Sequence, residues 1–372
     1  MMRIAMHVDG VEFRGAERQA LLIATGLRDR GHAVAVSCRA RGPVHDAFAA
    51  AGLPVTGLRP RGDADLASLA GFTAWLRRQR PDAVLLTSWV RLFGASLAAR
   101  AAGARHVVQR IGLLQTVPAG GPSGWKYRRA LLRQIDLVVV NSAGLADRFR
   151  AQLPALPPSN VRVIPNAVDY VPAPPCSVRA EIGAAGDDVL LLAAGGLERR
   201  KGFDLLIRAL AGLDDAGVRL LIAGSGPDEA ALRRLAAEAG VADRVHFLGQ
   251  RGDLPALMAA ADAFVLSSRG DSMANAMLEA MAAGLPVLAT RVPGTEQALA
   301  ERDGRPAAGW MANVDADDLR RGLAAIVAEL RDDPAGARLR GDEARWRAEH
   351  WFGPAAMVEA YEAALRGGGG SR

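Results

Sequence analysis

Short apolar runs of strand length alternate with helix-length segments along nearly the whole chain. In the first half the runs fall near 3–7, 33–37, 83–87, 107–109 and 136–141; in the second they fall near 189–193, 219–223, 245–248, 263–267 and 287–290. A strand, a helix and another strand, repeated this often, argue for parallel sheets. The halves echo each other in element order and not in residues. A length of 372 residues is long for one core and suits two. The expected division is 1–168 and 169–349, and the proline-rich VPAPPCSV at 171–178 reads as a linker. A final amphipathic helix, 350–366, carries Trp351, Phe352, Met357, Tyr361 and Leu365 on its apolar side and is expected to pack back toward the first half. The end, 367–372, has the composition of a flexible linker.

Half the chain is apolar and the mean hydropathy is +0.08, as expected of a globular protein. The longest apolar runs are too short to span a bilayer, and MMRIAMHVDG has no secretory apolar region, so a cytoplasmic location is expected. Cys38 and Cys176 are too few and too scattered for a disulfide framework or a zinc site. Charge is uneven: residues 1–168 hold 23 Lys+Arg against 10 Asp+Glu, a net +13, and the remainder carries −7. The first half should be drawn to anionic surfaces. With aromatics at 5% and no nucleic-acid motif, no nucleic-acid partner is expected. An anionic membrane leaflet or a lipid-linked acceptor fits better.

The most informative stretch is 267–294, SSRGDSMANAMLEAMAAGLPVLATRVPG, which reads as strand end, polar loop, helix and strand. Its loop lies at the carboxyl end of a strand, where open α/β sheets bind ligands, and feeds a helix N-terminus that favours an anion such as a diphosphate. Two carboxylates flank it, Asp271 in the loop and Glu279 in the helix. They suit the hydroxyls of a phosphorylated sugar. A helix cap at Asp271 and a solvated helix position at Glu279 are the alternatives. Lysine occurs only at Lys126 and Lys201, against 44 arginines, and Lys201 follows a glycine-rich turn in AGGLERRKGFD. A compact ammonium for a phosphate is one reading, and chance retention is the other.

Three further motifs carry less. Gly224-Ser-Gly-Pro227 opens like a dinucleotide fingerprint, but Glu229 stands where the third glycine belongs, so a tight turn near a ligand cleft is the better reading. Asp63 and Asp65 read as loop residues. Asp317 and Asp318 read as caps, and no metal is expected. WKYRRALLRQI at 125–135 fits either an interfacial helix on an anionic membrane or a domain-surface helix with a solvated basic face.

Six segments in order resemble glycosyltransferase family 4 over nearly the whole chain. DSMANAMLEAMAAGLPVLAT resembles EGxxNxLLEAMAxGxPVVAT, GGLERRKGFDLLIRA resembles GRLxxxKGxDxLIxA, and IAGSGPDEAAL resembles IxGxGPxxxxL. VHFLGQRGDLPALMAAADAFVLSS, IPNAVD and RGAERQALLIATGLRDRGHAVAV match the family's remaining blocks. The resemblance implies a GT-B fold: two Rossmann-like, doubly wound parallel-sheet domains facing a central cleft, the first for the acceptor and the second for the nucleotide sugar. It implies retaining transfer from a nucleotide-diphosphate sugar, without a catalytic metal or cofactor. Glu279 would hold the donor ribose, and Asp271 would stand beside the transferred sugar. Ser272, Met273 and Ala274 would offer amides, and Lys201 would neutralise the departing diphosphate. Gly15 would let the N-terminal loop approach the donor; Gly196, Gln250 and Asn275 complete the donor set. Three positions depart from the family's pattern. Asp271 replaces a glutamate, Gly196 replaces the arginine of GRL, with Arg199 and Arg200 the candidates to compensate, and Arg110 stands where many members carry a histidine and is expected to bind phosphate or acceptor.

The leading expectation is therefore a retaining hexosyltransferase using a UDP-linked sugar and a cell-envelope glycan or glycolipid acceptor at the inner face of the cytoplasmic membrane. An epimerase-like enzyme acting on nucleotide sugars and a weakly catalytic nucleotide-sugar-binding protein are the rivals.

Overall fold

The structure, a computed structural model, describes residues 1–59, 65–87, 91–113 and 121–367. Asp63 and residues 368–372 of the tail lie outside the described residues. The chain forms two compact units, Met1–Asn166 with Pro354–Arg372, and Ala167–Gly353.

Unit 1 runs β1 Arg3–His7, α1 Gly15–Asp29, β2 Ala33–Ser37, α2 Pro43–Ala50, β3 Val55–Thr56, α3 Leu66–Gln79 and β4 Ala83–Leu86. It continues with α4 Leu92–Ala101, β5 His106–Ile111, α5 Gly121–Arg133, β6 Leu137–Val140, α6 Ala143–Gln152 and β7 Val161–Val163. Its strands pair in the order β3-β2-β1-β4-β5-β6-β7, all parallel. Unit 2 runs α7 Val178–Glu181, β8 Val189–Ala194, α8 Phe203–Ala211, β9 Val218–Ala223, α9 Glu229–Glu238, β10 Val245–Gly249 and α10 Leu254–Ala260. There follow β11 Ala263–Leu266, α11 Asn275–Ala283, β12 Val287–Thr290, α12 Thr295–Leu299, β13 Gly309–Ala312, α13 Ala316–Asp332 and α14 Pro334–Trp351. The order here is β10-β9-β8-β11-β12-β13, again all parallel. The last helix, α15 Pro354–Leu365, belongs to unit 1.

The central strands β4, β6, β8, β11 and β12 are buried along their full length. Helices cover both faces of each sheet, which is why these strands read as continuous apolar runs. The strands not anticipated, β3, β7 and β13, are edge strands of two to four residues with half-buried positions. Such short, partly polar segments give little apolar signal.

The anticipated single C-terminal helix is two. α14 ends at Trp351 and α15 starts at Pro354, because proline cannot continue a helix and suits its first turn. The unit boundary falls at Gly353–Pro354, and the first crossover falls at Asn166–Ala167. The stretch 171–178 is not a free linker: it lies within unit 2, where the Cys176 amide donates to the Ala256 carbonyl at 3.3 Å and Val178 is buried. The cap of α13 is Asp315, which accepts from the amides of Asp317 and Asp318; those two acids occupy the first turn, where the helix dipole favours them. Asp65 caps α3.

On unit 1, α15 packs against α1. A side chain at Gly26 would strike Val358, with its Cβ 2.3 Å from Cγ2. Arg30 Nε donates to Glu362 at 2.6 Å, and His32 Nε2 lies 3.1 Å from the same carboxylate. The hydrogen bond from Arg30 leads the causes that bring the Glu362 carboxyl down to about 2.

Candidate functional site

In unit 2 the strand order reverses between β8 and β11, so the chain leaves the sheet on opposite sides there. The carboxyl ends of those two strands are the crevice where doubly wound sheets hold ligands. The loop from β8 runs through Gly195 and Gly196 into a 3-10 turn, Arg199–Lys201, and then α8. The loop from β11 runs from Ser267 to Ala274 and feeds α11.

The two loops are welded together. Ser267 Oγ donates to the Lys201 carbonyl at 3.0 Å, and the Arg269 amide donates to the Arg200 carbonyl at 2.7 Å. Arg269 grips Asp204, at the start of α8, through two hydrogen bonds of 2.6 and 2.7 Å. Gly202 makes the approach possible. Its φ is +67°, and a Cβ there would lie 2.0 Å from the Ser267 carbonyl oxygen. Thr290 Oγ1, at the end of β12, holds the Ser268 carbonyl at 2.6 Å.

This frame brings Lys201 and Asp271 together. Lys201 Nζ donates to Asp271 Oδ2 at 2.8 Å, Ser268 Oγ donates to the same oxygen at 2.5 Å, and Arg200 Nη1 pairs with Oδ1. Burial pushes the Asp271 carboxyl up, but Lys201, Arg200 and Ser268 together outweigh it and hold the group below its ordinary value. Asp271 is only 8% exposed and does not cap α11, whose N-terminal residue Ala274 makes no side-chain cap. The capping alternative is thereby removed. Of the two arginines expected to compensate for Gly196, Arg200 joins the cluster and Arg199 is exposed.

Ser272, Met273 and Ala274 are buried at the entrance to α11, while Asn275 and Glu279 are half-buried along it. Glu279 shares its surroundings with Tyr170 and Arg345; burial raises the Tyr170 phenol, Arg345 lowers it and Glu279 raises it further. The neighbouring turn at Gly224 and Gly226 packs directly on the β8 loop, since a Cβ at Gly226 would lie 2.5 Å from the Leu197 carbonyl oxygen. That is the tight-turn reading of this segment. Gln250 is exposed after β10, two strands from β8, and takes no part in the hydrogen bonds of the Lys201–Asp271 cluster.

Gly15 and Arg110 belong to unit 1. Gly15 opens α1 after the end of β1. Arg110 lies inside β5, 5% exposed, with Nη2 donating to Asn166 Oδ1 at 2.9 Å. It also contacts the buried Tyr361 hydroxyl of α15; burial raises that phenol and Arg110 lowers it. Its guanidinium thereby links β5, the crossover residue Asn166 and α15. Ser268, Gly202, Tyr170 and Arg345 lie around the cluster and Glu279, and the sequence motifs do not assign them. The KG pair at 201–202 is the available signal for Gly202.

Two family models match the chain. "Glycosyl transferase 4-like domain" covers residues 14–167 and "Glycosyl transferases group 1" covers 188–333. A glycogen synthase of Mycobacterium tuberculosis is 30% identical over 78% of this chain and 71% of that protein. The lipopolysaccharide core biosynthesis glycosyltransferase LpsE of Rhizobium meliloti is 34% identical over 54% of this chain and 57% of that protein. The chain spans about half the length of the lipopolysaccharide-core relatives it matches, with 57% of LpsE and 48% of LpsD covered. The crystal structure of Anabaena HepE in complex with UDP-glucose superposes with a TM-score of 0.82 at 22% identity, covering 98% of this chain and 99% of that one. Both sheets, both family models and the relative matched over most of its length agree that this chain belongs to the group 1 and group 4 glycosyltransferase superfamily and has its GT-B fold.

Proposed function

We propose that the chain transfers a hexosyl group from a UDP-linked sugar to a hydroxyl of a cell-envelope glycan or glycolipid, with retention of configuration and without a metal. The observation that carries this reading is the cluster of Lys201, Arg200 and Asp271 at the β8/β11 reversal, beside the start of α11. Charge grows on the departing diphosphate in the transition state, so a fixed ammonium and a helix N-terminus act most strongly there. Asp271 holds both cations in place before the donor arrives, which removes reorganisation from the reaction step. The Ser272, Met273 and Ala274 segment lies against the sugar and phosphates, with Asn275 beside it. Glu279 accepts from the ribose hydroxyls. Gly196 and Gly15 leave room for the donor, Gln250 lies toward its base, and Arg110 acts as a positioning residue.

The names of relatives support the same direction: LpsE acts in lipopolysaccharide core biosynthesis, and HepE was captured with UDP-glucose. For the acceptor side, support comes from the +13 charge of residues 1–168 and from α5, where Leu131 is buried but Trp125 is 58% exposed with Arg129 above its ring. An aromatic beside arginines suits contact with an anionic leaflet at the inner face of the cytoplasmic membrane. Among the described residues no helix is long and apolar enough to cross a membrane.

The test is a panel of UDP-, ADP- and GDP-sugars read by thermal shift, donor hydrolysis and product analysis. A shift and slow hydrolysis with a UDP-sugar are expected. Absence of both with every donor overturns the reading, and an epimerised donor formed without acceptor replaces it with epimerase chemistry.

A further inference from the structure

Unit 1 carries a basic cavity of its own, on the outer strands β2 and β3 of its sheet. A cavity of about 600 Å³ opens at the carboxyl ends of β2 and β3, lined by Arg39 and Arg41 from the first loop and Arg59 from the second. The two loops are pressed back to back. The Cys38 amide continues the ladder to the Thr56 carbonyl at 3.1 Å, and a Cβ at Gly57 would lie 2.4 Å from Ala40 Cα. Beside that close approach Arg39, Arg41 and Arg59 line one space. The first turn of α3 closes the side with Ser68 and its cap Asp65, whose carboxylate is occupied by the Ser68 amide at 3.0 Å.

The charge around this space is unbalanced. Arg59 donates to Asp9 at 2.9 Å, and Asp9 also pairs with Arg91, so one buried carboxylate serves two arginines. Among the described residues no carboxylate pairs with the side chains of Arg39 or Arg41. Among the described residues that line the cavity, Arg39, Arg41 and Arg59 stand against one carboxylate, Asp65, an excess of positive charge that suits a phosphoryl anion. Arginine forks bind phosphoryl oxygens two at a time. The volume suits one phosphorylated sugar or the head of a lipid diphosphate and not a polymer.

We infer that this cavity binds the phosphoryl group of a phosphorylated acceptor. Naming the ligand as the acceptor rests on the transferase reading above; the affinity of the cavity for phosphoryl groups does not. Full-length protein is first saturated with UDP, so that the unit 2 site is filled, and then titrated calorimetrically with glucose 6-phosphate and, separately, with farnesyl diphosphate below its micelle concentration. Binding of at least one is expected, weakened at least tenfold in the double variant Arg39→Gln/Arg41→Gln and weakened by added salt. UDP affinity and melting temperature stay at wild-type values in that variant, since both positions lie at the surface of unit 1. Binding of glucose 6-phosphate points to a sugar phosphate as the source, and binding of farnesyl diphosphate alone points to a lipid carrier. The inference is overturned when neither probe binds, or when the double variant binds them as wild type does. A protein that binds a probe but not UDP keeps this cavity and loses the transferase reading; one that binds UDP but neither probe does the reverse.

Discussion

Replacing Asp271 by Asn tests the centre of the site most directly. The substitution keeps the shape and removes the charge, leaving Lys201 and Arg200 facing each other across a neutral amide. The Asp271 side chain is 10% exposed, against 16% for Lys201 and 34% for Arg200. Deleting one partner of a buried pair costs about 3–5 kcal/mol; solvent at Arg200 screens part of it, so about 2–4 kcal/mol is expected at pH 7. For a unit of this size that is a drop of about 6–12 °C in the melting temperature of unit 2. The pH dependence has a definite sign. The folded carboxyl titrates below its ordinary value of 3.8, so its stabilisation is complete above that value and is lost as pH falls through the folded one. The gap between wild type and variant is therefore widest near neutrality and narrows in acid. UDP at a hundred times its dissociation constant should return about 2.7 kcal/mol to the variant, because the two cations remain to meet the diphosphate. Differential scanning calorimetry at pH 7 and pH 3, with and without UDP, reads all three effects. A variant that melts within 2 °C of wild type at pH 7, or whose deficit is the same at both pH values, would refute the counter-ion role.

Lys201→Ala should lose at least tenfold in kcat on any accepted donor while UDP still binds, measured by steady-state kinetics and calorimetric titration; unchanged kinetics removes Lys201 from the chemistry. Gly202→Ala sets a side chain at φ +67° against the Ser267 carbonyl, so the two site loops must part. We expect a lower melting temperature and weaker UDP binding together, and loss of neither contradicts the weld. Arg347 is fully buried on α14, donating to Glu343 at 2.8 Å and to the carbonyls of Ala298 at 3.0 Å, Ala300 at 2.7 Å and Pro306 at 2.5 Å. Arg347→Met leaves Glu343 to Arg305, which holds it at 2.6 Å, but takes the donor from three carbonyls and should cost about 3–5 kcal/mol in urea unfolding, with a loss under about 1 kcal/mol counting against a structural role for this network.

Several features of the site are legible in the residues themselves. The apolar runs of β8, β11 and β12 and the closing Gly284 place a loop and a helix start at 267–294. Periodicity and turn chemistry are local, so a sequence carries them. Helix ends are less legible: proline at 354 is visible, yet the apolar residues on either side of it suggest one helix, because an amphipathic stripe does not record a change of packing partner. The edge strands β3, β7 and β13 escape notice because a few half-buried residues give no pattern.

The roles of individual charges lie beyond the sequence. Asp271 falls just ahead of α11, where it looks like a cap; its partners, Arg200 and Lys201, lie 71 and 70 positions away. Arg110 stands out by where it falls in the chain, and its partners Asn166 and Tyr361 lie far from it in sequence. Arg39, Arg41 and Arg59 do not stand out among 44 arginines until two loops meet at Gly57. The sequence alone determined the two parallel sheets and the residues at their carboxyl ends, because hydrophobic period and chain direction are properties of neighbours in the chain. Only the tertiary structure decided which cations share which carboxylate, because electrostatic energy depends on distance and burial across elements that the chain visits far apart.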